Sequence, residues 1–398
     1  MITREIQINT ILGEKGSAFL FGARGTGKTL LALDWLSKQP KRLSFDLLDG
    51  NTYRRYLDDP GQLKADIEGA IHSNQEVLSV LVDEIQRIPE LLDVVHQLCT
   101  LHEGKVRFLL TGSSARKLRR GGANLLAGRL YTFSLFPFTS GENPRPLTDL
   151  LLTGNLPAAV GGERDTREVL RAYVATYLYE EIRLESAVRR IEVFSRFLDL
   201  AAQYHGKILN YARMGRPLGL TGKTVAAYFS ILEDTLLGFH LPGYETSLRR
   251  QLRLAPKFFF IDNGLASALR GELLLELRES TSRFGELFEC LVIQELMRAN
   301  TYSRLDLRLS YWQTSTGHEI DVVVSRAAGP PLAVIEIKSA VKPQEDAWRG
   351  FRAFAQEFPL VPRYCLCRTP LVYTVDVVKV LPWEQGPALL RTLFRDNH

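Results

Sequence analysis

The sequence predicts an α/β protein of several modules: a parallel sheet flanked by helices, a helical connector, a small unit of helices and a hairpin, and a C-terminal α/β domain. Three observations support this prediction. Short apolar runs alternate with helical patterns in residues 1–140, helix-turn-helix spacing with two apolar runs follows, and residues 280–398 combine a long helix with several strand-like runs. Alternation of the first kind is typical of a parallel sheet covered on both faces.

The composition is that of an ordinary globular protein. The chain has 398 residues, of which 45% are hydrophobic and 24% charged, which excludes a disordered or collagen-like chain. No apolar run reaches the ~18 residues that a membrane helix needs. Residues 1–5 carry no apolar signal core, and four cysteines are too few for a disulfide framework. We therefore expect a cytoplasmic protein that does not bind a membrane.

The first module, residues 1–140, is predicted from four short apolar runs and two helical patterns. The predicted strands are Ala18–Phe21, Leu43–Asp46, Leu78–Asp83 and Arg107–Thr111, and the predicted helices are Leu30–Ser37 and Glu90–Leu101. Pro137, Pro144 and Pro146 then interrupt the pattern, because proline continues neither a helix nor a central strand. We place the end of the first domain in this stretch.

The strongest motif lies between the first predicted strand and the first predicted helix. It has the form G-x-x-x-x-G-K-T and consists of Gly22, Ala23, Arg24, Gly25, Thr26, Gly27, Lys28 and Thr29. Glycines let the backbone curl so that amide N–H groups point at phosphate oxygens, and the helix N-terminus adds a positive dipole. We expect Lys28 to reach the outer phosphates and the Thr29 hydroxyl to ligate Mg²⁺.

Two further predicted strands end in residues suited to nucleotide hydrolysis. Glu84 follows the strand that ends at Asp83, and the next strand ends in Thr111, Gly112 and Ser113. We expect Asp83 to lie in the Mg²⁺ shell and Glu84 to activate the attacking water as a general base. Hydroxyl groups at Thr111 and Ser113 are suited to sense the terminal phosphate. Lys28 and Glu84 are therefore the predicted catalytic residues.

The middle of the chain predicts a helical connector, residues 141–190, followed by a winged helix, residues 191–265. In the connector, apolar residues recur at spacings of three and four from Asp165 to Val188. The winged helix is predicted from helices Ile191–Tyr204, Ile208–Met214 and Thr221–Leu237, followed by two runs that can pair as a hairpin, Gly238–Tyr244 and Leu252–Ile261. Thr221 is the predicted N-cap of the last of these helices.

Basic residues without acidic neighbours lie in this predicted winged helix. No acidic residue occurs between Asp199 and Glu233, a pattern typical of contact with a polyanion. The candidate DNA-binding residues are Lys223 on the recognition helix and Arg249, Arg250 and Arg253 on the wing. Such contacts go mainly to phosphates and give affinity rather than sequence choice. The alternative is a module that packs the domains together or binds protein.

A second group of charged residues lies in the C-terminal domain, residues 280–398. Glu289 falls in the predicted helix Phe284–Arg298, Asp321 in the predicted strand Glu319–Val324, and Glu336 and Lys338 in the predicted strand Ala333–Ser339. Glu336 and Lys338 are two residues apart, so they share one face of their strand. Because the two strands form a predicted hairpin, we expect all four side chains in one pocket, where two carboxylates can hold Mg²⁺ that activates water.

These residues support two resemblances to known families. Glu289, Asp321 and the Glu336-x-Lys338 pair are similar to the motif of the PD-(D/E)xK nuclease fold. The stretches Leu81–Leu91, Leu109–Leu118, Leu126–Arg129 and Pro256–Leu265 resemble prokaryotic AAA-type P-loop ATPases that carry a C-terminal domain of unknown function of the 4143 type. This resemblance implies ATP as the nucleotide, Thr111 or Ser113 at a sensor position, and Arg129 near a phosphate-facing site.

The sequence thus predicts an AAA-type protein that binds and hydrolyses ATP with Mg²⁺. ATP binding and hydrolysis are expected to switch the other two modules, a winged helix that binds duplex DNA and a nuclease-like domain. Two alternatives stay open. One is a metal-dependent DNA nuclease gated by ATP, and the other is a non-nuclease regulatory protein that engages a protein partner. The net charge of +5 is too small to indicate nucleic acid by itself.

Overall fold

The computed structural model describes residues 2–13, 16–71, 76–113, 130–177, 191–246, 254–327 and 329–395. Within these ranges the chain forms three sheets, which helices cover and connect. None of the helices in these ranges combines the length and the apolar character that crossing a lipid bilayer requires.

A parallel sheet of five described strands forms the first part of the molecule. The strands are β1 (Ser17–Phe21), β2 (Arg42–Asp46), β3 (Leu78–Asp83), β4 (Val106–Gly112) and β5 (Leu130–Ser134), in the spatial order β2-β3-β4-β1-β5. Phe21 pairs with Gly112 and Val82 with Leu110, so the carboxyl ends of β1, β3 and β4 meet at one edge. The sequence analysis missed β5, because exposed Tyr131 and Thr132 interrupt its apolar run.

Helices pack on both faces of this sheet. They are α1 (Ile8–Leu12), α2 (Lys28–Ser37), α3 (Gly50–Asp58), α4 (Gly61–Ile71) and α5 (Leu91–Leu101). Phe19 and Val80 face α3, α4 and α5, whereas Ala18 and Leu81 face α1 and α2. Successive side chains of a strand point to opposite faces, so both faces need this apolar cover. Of these helices, α2 and α5 were predicted from the sequence, and α1, α3 and α4 were not.

The middle of the described chain is mainly helical and contains a small antiparallel sheet. Its helices are α6 (Leu147–Leu152), α7 (Pro157–Val160), α8 (Thr166–Ala172), α9 (Ile191–Gln203), α10 (Tyr211–Gly215), α11 (Gly222–Asp234) and α12 (Asn263–Leu269). The strands are β6 (Lys207–Ile208), β7 (Gly238–Leu241) and β8 (Lys257–Phe260), in the order β6-β8-β7. The Thr221 hydroxyl accepts a hydrogen bond from Thr224 N at 3.2 Å, which confirms Thr221 as the N-cap of α11.

Two predicted helices in this region differ from the structure. The predicted helix Ile208–Met214 is wrong at its start, because Lys207 and Ile208 pair with β8 and the helix begins only after Asn210, whose side chain caps it. The predicted helix Asp165–Val188 corresponds to α8 and a π-helical turn, Tyr173–Tyr177. Its remainder, residues 178–190, lies outside the described residues.

The C-terminal part begins with the long helix α13 (Ser282–Tyr302) and continues as a mixed sheet. The strands are β9 (Leu307–Gln313), β10 (Glu319–Arg326), β11 (Pro331–Lys338), β12 (Arg363–Cys367), β13 (Tyr373–Val375) and β14 (Val378–Pro382), and the helices are α14 (Arg349–Phe354) and α15 (Gly386–Arg395). Their spatial order is β13-β14-β12-β11-β10-β9. The predicted helix Asp346–Phe358 is shorter in the structure, where a 3₁₀ turn precedes α14, and the sequence analysis missed α15.

Helix α13 is where the three parts meet, and a buried arginine joins them. Arg298, only 1% exposed, donates hydrogen bonds to Phe138 O (3.0 Å) after β5 and to Ile261 O (2.6 Å) after β8. It also pairs with Glu295 on its own helix at 2.8 Å. Ser140 donates to Glu295 through both its N–H (3.1 Å) and its hydroxyl (2.9 Å). One buried charged network therefore fixes the three parts against each other.

Candidate active site

The glycine-rich loop lies at the carboxyl edge of the parallel sheet, between β1 and α2. Gly25 and Gly27 have φ of 81° and 90°, the left-handed region that glycine adopts without strain. Gly22 needs its small size for a different reason, since a Cβ there would lie 2.5 Å from Leu135 O. The amide of Gly22 donates to Gly112 O at 3.2 Å, which ties the loop to β4. The glycines thus permit the curled backbone that phosphate binding requires.

Lys28 is buried and bends back over this loop. Its Nζ donates to Gly22 O at 2.8 Å and to Ala23 O at 3.2 Å. The ammonium group therefore lies against two carbonyls of the loop, which phosphate oxygens could replace as acceptors. The predicted position of Lys28 and the loop geometry agree with a phosphate-binding function.

Thr29 and Asp83 lie side by side at the mouth of the loop. The Thr29 hydroxyl donates to Asp83 Oδ2 at 2.8 Å, and the Thr111 hydroxyl donates to Asp83 Oδ1. Burial raises the pKa of Asp83, and the two hydroxyl bonds oppose that shift. A hydroxyl and a carboxylate oxygen at this spacing are the ligands that Mg²⁺ prefers, so Thr29 and Asp83 fit the magnesium of a bound nucleotide.

Glu84 directly follows β3 and takes an unusual backbone conformation. Its φ of 59° and ψ of 45° are left-handed, a region that costs free energy for a residue with a Cβ. The Glu84 amide donates to Thr111 Oγ1 at 3.0 Å. Its carboxylate accepts a hydrogen bond from the Gln86 side chain, which also donates to Ser113 Oγ at 3.0 Å. The structure therefore brings Glu84, Thr111 and Ser113 together, and it adds Gln86, which the sequence analysis did not select.

A cavity of about 820 Å³ adjoins the outer side of the loop. It is bordered by the loop, the N-terminal segment, Phe138, one side of α2 and the residues at both ends of α7. The residues are Ile2, Thr3, Arg4, Ile6, Gln7, Ile8, Asn9, Gly25, Thr26, Gly27, Leu30, Leu31, Asp34, Trp35, Lys38, Phe138, Pro157, Ala158 and Gly161. The walls mix aliphatic and polar groups beside the phosphate-binding backbone. This volume is suited to a planar ring and a sugar attached to the phosphates.

A buried arginine of the N-terminal segment supports the loop from this side. Arg4 donates to Thr26 O (3.1 Å), to Phe136 O (2.6 Å) and to Tyr302 Oη (3.2 Å) at the end of α13. Its Nε pairs with Glu142 Oε1 at 3.0 Å, and both side chains are buried. Arg4 was not predicted from the sequence, because its partners lie far away in the chain and it belongs to no local motif.

The predicted acidic residues of the C-terminal part lie on facing strands. Val322 pairs with Ile335 in the antiparallel register of β10 and β11. Asp321, one residue before Val322, accepts a hydrogen bond at Oδ2 from the amide of Ile337, one residue after Glu336, at 2.7 Å. Lys338 Nζ lies 2.6 Å from Glu336 Oε1 and 3.9 Å from Asp321 Oδ2. Burial, followed by the nearby Asp321 carboxylate, raises the pKa of Glu336 to about 8. Asp321, Glu336 and Lys338 thus form one group.

Glu289 adjoins this group, but a lysine from another part of the chain engages it. Lys257 of β8 is buried and pairs with Glu289 at 3.0 Å and with Glu319 at 2.5 Å. Burial is the main reason that the pKa of Glu289 is raised, to about 7. The sequence analysis missed Lys257, because its strand belongs to a different sheet.

The fit of this acidic group to a divalent cation is partial. Glu336 Oε2 is buried, and no described group forms a hydrogen bond with it, which leaves one oxygen for a ligand. Glu289, in contrast, already forms an ion pair with Lys257. In the parts of the chain that the structure covers, no three side chains of His, Cys, Asp or Glu are arranged to hold a metal ion.

The remaining predicted residues are only partly described. Lys223 is exposed near the start of α11. Arg249, Arg250 and Arg253 of the predicted wing, and Arg129 of the predicted phosphate-facing site, lie outside the described residues.

Comparison with protein-family models divides the chain into three matches. An AAA domain model matches residues 14–143, the model Domain of unknown function (DUF8612) matches residues 145–277, and the model Domain of unknown function (DUF4143) matches residues 284–385. The chain therefore carries an AAA domain, to which the glycine-rich loop and β3 belong, and a DUF4143 domain, to which the acidic group on β10 and β11 belongs. These matches confirm the AAA-type resemblance but not the resemblance to PD-(D/E)xK nucleases.

Similar whole proteins carry no further functional description. An uncharacterized protein of Mycobacterium tuberculosis is 27% identical over 319 residues, which covers 78% of this chain and 68% of that protein. An uncharacterized protein of Haemophilus influenzae is 22% identical over 326 residues, which covers 75% of this chain and 79% of that protein.

Solved structures with a similar arrangement are distant. One is the replication initiator DnaA bound to AMPPCP and single-stranded DNA, with a TM-score of 0.29 and 16% identity over 58% of this chain and 90% of that chain. Another is Drosophila ORC bound to AT-rich DNA and Cdc6, with a TM-score of 0.23 and 14% identity over 66% of this chain and 88% of that chain. At these scores the likeness supports no conclusion about function.

Proposed function

We propose that this protein binds Mg²⁺-ATP at the glycine-rich loop and hydrolyses it to ADP and phosphate. The observation that carries the proposal is the hydrogen-bonded series Thr29, Asp83, Thr111 and the Glu84 amide, which brings the proposed magnesium ligands and the proposed base to one edge of the sheet. The AAA domain match over residues 14–143 supports the same reaction.

Each residue of the site has a proposed role. Loop amides and Lys28 bind the phosphates, and Thr29 and Asp83 hold the magnesium ion, which would neutralise charge on the phosphate oxygens. Glu84 accepts a proton from the attacking water, and Thr111 and Ser113 hold the strand end against the terminal phosphate. The cavity beside the loop receives the base and the ribose.

We further propose that nucleotide binding switches the other two modules, with the middle module acting on duplex DNA. Arg4 contacts both the loop and Tyr302 of α13, and Arg298 contacts the chain after β5 and after β8. These contacts are a continuous physical connection of the kind that can couple two sites. The order α9, β6, α10, α11, β7, β8 and the exposed Lys223 support a winged helix that contacts phosphates.

The test of ATP hydrolysis uses two substitutions with different expected results. Lys28→Ala should abolish ATP binding, because the only ammonium of the loop motif is removed. Glu84→Gln should bind ATP normally and hydrolyse it ~100-fold or more slowly, because the magnesium ligands survive and the base does not. Lys105→Ala, an exposed lysine before β4, serves as the control. Hydrolysis at the wild-type rate in both Lys28→Ala and Glu84→Gln would refute the proposal.

A metal-dependent DNA nuclease gated by ATP is the second candidate. The grouping of Asp321 and Glu336 around Lys338 favours it, as does Glu336 Oε2, which is buried and has no hydrogen-bond partner among the described groups. The ion pairs of Lys257 favour the other alternative, a regulatory protein whose C-terminal domain does not cut and which engages a protein partner.

A further inference from the structure

Gln86 occupies a buried position between the proposed base and the proposed phosphate sensor. It lies in the 3₁₀ turn Ile85–Arg87 directly after Glu84 and is 7% exposed. Its Nε2 donates one hydrogen bond to Glu84 Oε2 and a second, of 3.0 Å, to Ser113 Oγ. Both hydrogens of one amide group are therefore used, one for each partner.

The orientation of this amide is determined by its surroundings. If the amide were rotated by half a turn, its oxygen would face the oxygen atoms of Glu84 and Ser113, which repels the carboxylate. The amide oxygen, Oε1, lies over Gly112, in a space that a side chain at that position would fill, because a Cβ added there would lie 2.7 Å from Oε1. Oε1 is buried there, and no described group donates to it. Gln86 therefore has one well-defined arrangement at this edge of the sheet.

We propose that Gln86 is a positioning residue for ATP hydrolysis: it orients the Glu84 carboxylate and links that orientation to Ser113. The inference rests on the ATP hydrolysis proposed above. A hydrogen bond to a carboxylate oxygen is strong and directional, so it holds Glu84 in one rotamer on a backbone that is already constrained. Ser113 shares the same amide group, so a displacement of Ser113 by the terminal phosphate moves Glu84 as well.

The test compares Gln86→Leu with the wild-type protein, since leucine keeps the volume and removes both donors. Because a general base contributes about 10²–10⁴-fold, loss of its orientation should lower kcat for ATP about tenfold. KM for ATP and the Kd for AMPPCP, a non-hydrolysable analogue, should stay within about twofold. Gln97→Leu, at an exposed glutamine on α5, should match the wild type.

A double substitution separates positioning from a general structural role. In the Glu84→Gln background, Gln86→Leu should cause no further loss in single-turnover hydrolysis, because the group it orients is already absent. An equal tenfold loss in that background, or loss of AMPPCP binding, would overturn the inference. An unchanged kcat in Gln86→Leu would overturn it while leaving the ATPase proposal intact. A wild-type protein that hydrolyses no ATP refutes both.

Discussion

Replacement of Arg298 by methionine tests how the three parts of the molecule are held together. Methionine fills much of the same space but donates no hydrogen bond, so the carbonyls of Phe138 and Ile261 lose their donor. Glu295, only 3% exposed, loses its counter-charge. Breaking a buried ion pair in this way costs about 3–5 kcal/mol. The Ser140 bonds to Glu295 survive and offset part of that cost, so we expect a loss near 4 kcal/mol.

The measurement is the free energy of unfolding from urea denaturation. A loss near 4 kcal/mol is a large share of the ~5–15 kcal/mol that stabilises a typical domain. The double substitution Arg298→Met with Glu295→Gln should recover about 2 kcal/mol relative to the sum of the single substitutions, since the orphaned charge is gone. Arg352→Met, at an exposed arginine on α14, is the matched control. A cost below 1 kcal/mol for Arg298→Met would refute this account of the junction.

Three further predictions concern the other modules. Lys223→Glu should weaken binding to duplex DNA and lower by ~0.9 the slope of the logarithm of the binding constant against the logarithm of the salt concentration. The control Lys379→Glu, on β14, should change neither. A wild-type protein without salt-dependent binding would exclude the DNA proposal. Asp321→Ala should abolish any Mn²⁺-dependent nicking of plasmid DNA, and absence of nicking in the wild type would exclude the nuclease candidate. Between pH 4.5 and 8, folded Glu336 keeps a proton that the unfolded chain releases, so the free energy of unfolding falls as pH rises. Glu336→Gln should reduce that slope in thermal melts, and an unchanged slope would contradict the assignment.

The residues of the proposed nucleotide site could be predicted where chemistry and secondary structure coincide in the sequence. Lys28 and Thr29 belong to a local motif. Asp83 ends an apolar strand and Glu84 follows it, and the carboxyl end of that strand reaches the same sheet edge as the loop. Parallel strands bring such ends together wherever they lie in the chain. For the C-terminal part, strand parity and one predicted hairpin lead to the prediction that Asp321 and Glu336 lie together.

The residues that the sequence analysis missed depend on contacts between distant segments. Lys257 sits in an apolar run that predicts only a buried strand, and its partners Glu289 and Glu319 come from another part of the fold. In the sequence Gln86 is an ordinary polar residue of a turn, and only the fold shows that it contacts Ser113. The predicted helix Ile208–Met214 failed for the same reason, because pairing with β8 outweighs the local helical pattern at Ile208.

The contacts of Arg4 also determine when, during synthesis of the chain, the surroundings of the glycine-rich loop can be completed. Arg4 is made before its hydroxyl partner Tyr302, which follows 298 residues later in the chain. At ~5–20 residues per second, the ribosome takes about 15–60 seconds to cover that distance. During this interval the glycine-rich loop exists without the hydroxyl group that completes the environment of its supporting arginine. The surroundings of the glycine-rich loop therefore reach their final form only after helix α13 has left the ribosome, so a nascent chain carries the whole motif before it carries the whole of the proposed site.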